Sequence, residues 1–236
     1  KVPGHGVAVI DWLDKGDVYI NRLNGTGSML DSIYYWAKND LYIGESNLGA
    51  CGGYGLFTRD GSHINSYYLN INGCDGGVYT GNGTQLDMNW GLVRNVTGNP
   101  GIEIGENCVI NLTSVEIGEN LHGVKFGQNN ILKIHSCEIK TSNGYGVYGT
   151  HSNVTIGKSG NKNTVIQTSG KDGLFLEGGN LIMDGARLSN NNGNGVTLWN
   201  VEIDSFNEVS AIDNFEDGIS IYLGDVSVLE DGHYGP

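Results

Sequence analysis

The chain repeats itself on glycine, and that constrains its fold more than any other feature. Aligned on a Gly with an aliphatic residue behind it, eight segments share one register: "GLFT" at Gly55, "GVYT" at Gly77, "GIEI" at Gly101, "GVKF" at Gly123, "GVYG" at Gly146, "GLFL" at Gly173, "GVTL" at Gly195 and "GISI" at Gly218. The steps between them are 22, 24, 22, 23, 27, 22 and 23 residues. "GVAV" at Gly6 and "GSML" at Gly27 extend the series at looser spacing. Self-similarity at such a period marks a solenoid, whose units cannot bury an apolar face alone and must stack.

A second pattern lies inside each unit, as in "VINLTSVEI" (109–117), "LKIHSCEIK" (132–140), "LIMDGARLS" (181–189) and "VEIDSF" (201–206). Apolar residues alternate, pause for two residues, and alternate again. Alternation means strands with one face buried, and the pause is a bend. Asn, Gly, Asp and Ser fill the turns, where they accept positive φ or bond their own backbone. No helical period of ten or more residues occurs. A leucine-rich repeat would need an L-x-x-L-x-L-x-x-N pattern with a convex helical segment, and neither is present. The expectation is all-β: a single right-handed parallel β-helix over residues 1–236, of about ten coils with roughly 22–24 residues each, cut from a longer extracellular protein. The last segment, "GISIYLGDVSVLEDGHYGP", is expected to stop before completing its turn, leaving strand edges open to a partner or to a second copy stacked end to end.

Composition removes several classes of function. Gly is 39 of 236 residues, yet no G-X-Y period exists, so collagen is excluded. The formal charge is -13 with only four Arg, a surface that repels phosphate backbones, so no nucleic-acid partner is expected. No apolar run approaches the ~18 residues that span a bilayer, so no membrane insertion is expected within this segment. An acidic chain rich in Gly and Asn suits an extracellular or cell-surface location.

The Gly-led repeat with its alternating strands resembles the parallel β-helix repeat of the pectin-lyase-like superfamily, over nearly the whole chain. The resemblance implies the fold. It does not choose among the lyases, galacturonases, epimerases, tailspikes and surface adhesins that share it. Gly4-His5-Gly6 matches a short element of polygalacturonases, but the N-T-D, paired-Asp and R-I-K elements that accompany it there are absent. The D-P-H element of alginate epimerases is also absent.

Alternation places Val78 and Thr80 inward and Tyr79 outward. The same outward slot reads Phe57, Tyr79, Glu103, Lys125, Tyr148, Phe175, Thr197 and Ser220. Two positions on come Arg59, Gly81, Gly105, Gly127, Thr150, Glu177, Trp199 and Tyr222. Aromatic rings bind sugars, and rungs one coil apart could track an extended polymer. Aromatics also stack on sheets simply because strands favour them. The candidate ligand-binding residues are Phe57, Arg59, Tyr79, Glu103, Lys125, Tyr148, Phe175, Glu177, Trp199 and Tyr222. Glu103 and Lys125 read as a surface pair worth under ~1 kcal/mol. Tyr34, Tyr35 and Trp36, with Tyr67 and Tyr68, form a second aromatic concentration. The coils from Gly27 and Gly146 carry insertions, the latter including "GKSGNKNT" (157–164).

No catalytic residues are assigned. Glycoside hydrolysis needs two carboxylates about 5–9.5 Å apart, and Glu103 and Glu177 lie three coils apart, roughly 14 Å. Asp60 with Asp87, or Asp184 with Asp204, could meet on adjacent coils. No cofactor is expected. The acidic C-terminal third (Glu202, Asp204, Glu208, Asp213, Glu216, Asp217, Asp225, Glu230, Asp231) could take calcium, although no calcium-loop motif occurs. Cys51 and Cys74 fall at nearly the same turn of successive coils, within reach of a disulfide that would fit an oxidising compartment. Cys137 reads as a core residue, Cys108 as a turn residue, and the six His as isolated surface or turn residues. The resulting reading is a non-catalytic β-helical adhesin or stalk that meets a glycan or a host or cell-surface protein along its aromatic face. A polysaccharide lyase or hydrolase of the same fold and a structural subunit of a phage fibre or filament are the alternatives.

Overall fold

The computed structural model describes residues 4–10, 16–222 and 233–234. Among them every named strand pairs with its neighbours in parallel, and no helix occurs. The chain winds as a solenoid with three faces. The first face carries ten strands, from Val7–Ile10, Ile33–Trp36, Tyr54–Thr58 and Gly76–Thr80 to Val196–Trp199 and Ile219–Tyr222. The second begins with Val18–Asn21 and Asp40–Gly44, and the third with Asn24–Thr26 and Asn47–Gly49. On the first face one inward column runs Val7, Ile33, Leu56, Val78, Ile102, Val124, Val147, Leu174, Val196 and Ile219. Matching columns, such as Leu41–Ile64–Leu86–Ile110–Leu132 on the second face and Leu48–Ile71–Val93–Ile117–Ile139 on the third, fill the interior. Apart from the partly buried Val7 and Ile219 at the ends, these side chains are fully buried or nearly so and form one continuous core.

The recurrent glycine stands just before that first column, and most of its members do not have positive φ. The reason is close approach. A Cβ on Gly101 would lie 2.7 Å from Cγ2 of Ile117 and 2.9 Å from the backbone oxygen of Gly123; one on Gly146 would lie 2.5 Å from Cγ2 of Ile166 and 2.6 Å from the oxygen of Gly173. The third-face aliphatics rest directly on bare backbone there. Gly27 does not belong to this column. Register places Ser32 in the slot, one residue before Ile33, and Gly27 instead takes φ +80° at a corner. The N-terminal alignment on Gly27, and with it the insertion assigned to a coil starting there, is therefore corrected.

Left-handed residues turn the chain at the corners. After the first strand they are Gly61, Gly83, Asn107, Asn129, His151, Gly178 and Asn200; after the second, Arg22, Glu45, Tyr68, Trp90, Ser114 and Ser136; after the third, Ala50, Gly73, Asn95 and Glu119 among others. The residue after each third corner points inward, and this column holds two of the four cysteines and an amide ladder. Cys51 and Cys74 form a disulfide with Cα atoms 4.5 Å apart. Farther along, the Asn120 side chain accepts from the Val96 N–H at 3.3 Å, Asn191 from Ser169 at 3.0 Å, and Asn214 from Asn191 at 3.1 Å. Each bond satisfies a buried amide that the sheet ladder cannot reach. Cys108 and Cys137 are free and buried, and burial pushes the Cys137 thiol up to about 11.

The insertion at 157–164 is a small turn closed by a Ser159–Lys162 bridge and pinned by the Ser136 hydroxyl, which donates to the Lys162 carbonyl at 2.6 Å. The last coil reaches its third face: His233–Tyr234 pairs with Ser210 and Ala211. Residues 223–232 lie outside the described residues.

Two outcomes test this packing. Gly101→Ala is expected to cost at least ~1–3 kcal/mol by overpacking against backbone that cannot yield, whereas Gly61→Asn, at an open corner with φ +73°, is expected to stay within about 0.5 kcal/mol; urea unfolding midpoints read both. Replacing Cys51 and Cys74 by Ser together is expected to remove ~2–4 kcal/mol, read as the same loss when the wild type is unfolded in reductant.

Candidate functional site

Outward residues of the first face stack in register as Tyr34, Phe57, Tyr79, Glu103, Lys125, Tyr148 and Phe175. Thr197 and Ser220 continue the column but are buried, bonded to Asn194 and Asp217 at 2.9 and 3.0 Å, so the exposed ladder ends before them.

The rings stack on one another. Phe57 lies 5.4 Å from Tyr34 at 5° and 4.7 Å from Tyr79 at 11°. Such separations match the coil step of ~4.8 Å, so the ring planes lie across the axis and inner rungs turn only their edges to solvent. A polymer cannot lie face-on along every rung, which revises how this ladder meets a sugar. Beside it, Tyr54 packs 5.4 Å from Tyr79 and lies over Gly76. Arg59 sits 4.7 Å above the Trp36 ring and donates to the Tyr34 hydroxyl at 2.9 Å. Beyond the charged coils a second stack forms from Tyr148 and Phe175 at 5.6 Å, Tyr145 at 5.1 Å from Tyr148, and His122 at 5.8 Å from Tyr145. Lys171 lies 5.0 Å over the Tyr145 ring.

Between Tyr79 and Tyr148 the ladder is broken for two coils, by Glu103 and Lys125. Three coil steps separate the flanking rings, ~14 Å. The next outward column holds Gly81, Gly105 and Gly127, over which the corner closes: a Cβ on Gly81 would lie 2.6 Å from Asp60 Oδ1, and one on Gly105 2.6 Å from Asn82 Oδ1. The result is a cleft between the rings only, floored by an ion pair, with Tyr79 at one end and Tyr148, with His122 stacked 6.3 Å from its ring, at the other. Tyr54 donates to Glu103 Oε2 at 2.6 Å, and Lys125 Nζ lies 3.4 Å from Oε1. The Tyr145 N–H donates to His122 Nδ1 at 3.1 Å, which leaves the ring proton on Nε2. Burial lowers the His122 pKa, with Lys125 and Lys171 acting in the same direction. Burial raises Tyr54, Tyr79 and Tyr145, helped next by the hydrogen bond to Glu103 at Tyr54 and by the Glu103 charge at Tyr79, so these phenols stay protonated.

The remaining sequence candidates lie apart from this cleft. Glu177, Trp199 and Tyr222 border a hollow of about 550 Å³ near the C-terminal end, with Trp199 and Tyr222 rings 5.4 Å apart. Neither adjacent-coil carboxylate pair forms. Asp60 accepts from the Asn82 N–H at 2.8 Å at a corner, and Asp87 lies between Asn65 and Asn111 on another face. Asp184 faces Gly157 and Asn207, while Asp204 is the extra residue at a register shift. Among the described residues no group of three or more His, Cys, Asp or Glu is placed to hold a metal; Asp225, Glu230 and Asp231 lie outside them. The sequence reading missed Tyr34, Tyr54, His122, Tyr145 and Lys171. Tyr54, His122 and Tyr145 each stand two residues before an inward column member, a periodic position that the alignment could have exposed. Nor are all histidines isolated: His63 lies between Asp40 at 2.9 Å and Asp87 at 3.8 Å, and His5 lies 3.1 Å from Asp31.

His122 and His135 both have folded pKa values below 6.5, mainly through burial. The unfolded chain therefore binds protons first as pH falls through 6.5, and stability declines until the folded values are passed. Melting temperature is expected to fall from about pH 7 to 5, and His122→Asn, which keeps an acceptor for Tyr145, is expected to flatten part of that slope.

No protein-family model matches the sequence, and no curated protein matches it. Two solved structures are similar in fold. One is a mutant of the periplasmic alginate epimerase AlgG, 10% identical, with 95% of this chain and 78% of that one covered and a TM-score of 0.45. The other is the A-module of the Azotobacter vinelandii mannuronan C-5 epimerase AlgE4, 12% identical, with 92% and 79% covered and a TM-score of 0.43.

Proposed function

We propose that the first face binds a carbohydrate chain and that the protein serves as a non-catalytic, extracellular binding surface. The observation that carries this is the two-coil break in the aromatic ladder. No ring of the next coil stacks on Tyr79, so the C–H face of a sugar can pack there, while His122, stacked 6.3 Å from Tyr148, closes the other end. Glu103 accepts, and Lys125 and His122 Nε2–H donate, so the hydroxyls of the same chain find partners between the rings. The Cys51–Cys74 disulfide supports an oxidising compartment.

Binding fits this cleft better than turnover. Its floor holds one carboxylate, and both oxygens of Glu103 already have partners. Hydrolysis needs a second carboxylate. A general base must be free to take a proton near neutral pH; the phenols here are held protonated, and the basic nitrogen of His122 is committed to a backbone N–H.

On a glycan array followed by calorimetry, the wild type is expected to bind a glycan that Tyr79→Ala weakens about tenfold, ~1.4 kcal/mol. Phe57→Ala, whose ring faces are covered, is expected to lower the melting temperature with little change in affinity. Incubation with polysaccharides is expected to release neither reducing ends nor unsaturated products; sustained release would replace the binding reading with a lyase or hydrolase.

A further inference from the structure

The corner after the second strand is left-handed in six successive coils, at Arg22, Glu45, Tyr68, Trp90, Ser114 and Ser136, with φ between 40° and 56°. Gly and Asn take this backbone most readily, and they fill most of the corresponding corners after the first strand. Two consecutive coils instead place large aromatics there. Winding the solenoid does not require them, since Ser serves at the next two coils.

Their rings are also arranged unlike the ladder. Tyr67 meets Tyr68 at 79° and Trp90 at 67°, edge to face. Gly44 and Asn89 flank Tyr67 on the coils either side, so no ring stacks over it. Tyr67, Tyr68 and Trp90 are 46%, 44% and 47% exposed, and open ring surface results. Two hollows meet at this cluster. One, about 490 Å³, runs past Tyr42, Asn65, Ser66 and Asn89 to Tyr67; the other, about 280 Å³, lies against Tyr68, Trp90, Asn70 and Ser114. The carboxylates at their edges are partnered: Glu45 with Arg22 at 2.9 Å, and Glu116 and Glu138 with Lys140 at 3.1 Å each.

We propose that the Tyr67–Tyr68–Trp90 corner and its two hollows form a second binding site, for a neutral glycan. Exposed ring faces take the apolar face of a sugar, and neutral amides and hydroxyls on both sides take its hydroxyls. Lys162, which lines the second hollow, offsets the carboxylate in excess over Lys140, so balanced edge charges leave no preference for an ionic ligand. The site lies on a different part of the surface from the broken ladder and does not depend on it.

The test is an array of neutral oligosaccharides, with Trp90→Asn, Tyr67→Ala and Tyr79→Ala compared with the wild type, and melting temperature measured for each. Asn suits the left-handed corner, so Trp90→Asn is expected to melt no lower than wild type while losing neutral-glycan binding by at least tenfold. Tyr67→Ala is expected to lose it as well, and Tyr79→Ala to keep it. A Trp90→Asn variant that melts several degrees lower and binds as before makes the ring structural and overturns the proposal. So does a wild type that binds no neutral glycan. Binding lost only in Tyr79→Ala assigns the glycan to the first face and refutes this site alone; the first-face reading is refuted separately, by a Tyr79→Ala variant that binds every glycan of the full array as the wild type does.

Discussion

Bare backbone against aliphatic side chain is the contact on which this structure depends. Where Ile117 rests on Gly101, Ile139 on Gly123 and Ile166 on Gly146, the third face closes against the start of the first. A single methyl group there would force the walls apart. The same contact repeats coil after coil, so it fixes register as well as width. Parallel pairing then carries every outward side chain to a set height and a set column.

That regularity makes the exceptions informative. Along the first face the outward column is free to vary, because nothing in the core depends on it. It is aromatic, then charged for two coils, then aromatic again. The charged coils coincide with a glycine run in the adjacent column, over which Asp60 and Asn82 of the corner close in. Tyr54 and His122 reach this break from the flanking column, one by lying across Gly76 and the other through its bond to Tyr145. The cleft is thus assembled from three columns, each simple by itself.

What could be read from the sequence follows from the same geometry. The fold was legible because close packing forces glycine at one position and alternation forces the inward residues, and both leave periodic marks. The Phe57–Tyr79–Glu103–Lys125–Tyr148–Phe175 column was legible for the same reason, being bound to that period. Gly27 misled because glycine serves two purposes here: it permits close approach in one column and left-handed backbone in another, and letters alone do not separate them. Tyr54 and His122 were missed because they belong to a turn column with no apolar period of its own. Ring orientation could not be read at all, since it depends on whether the next coil offers a ring or a glycine.

The disulfide has a mechanical consequence. A stacked rod pulled along its axis yields by peeling one winding from the next, and each parting breaks only a few lateral bonds. Cys51 and Cys74 join neighbouring windings covalently, so those two cannot separate by peeling and must move as one rigid block. Tension applied to the rod is relieved among the unlinked windings, and the Cys51–Cys74 block behaves as a clamp.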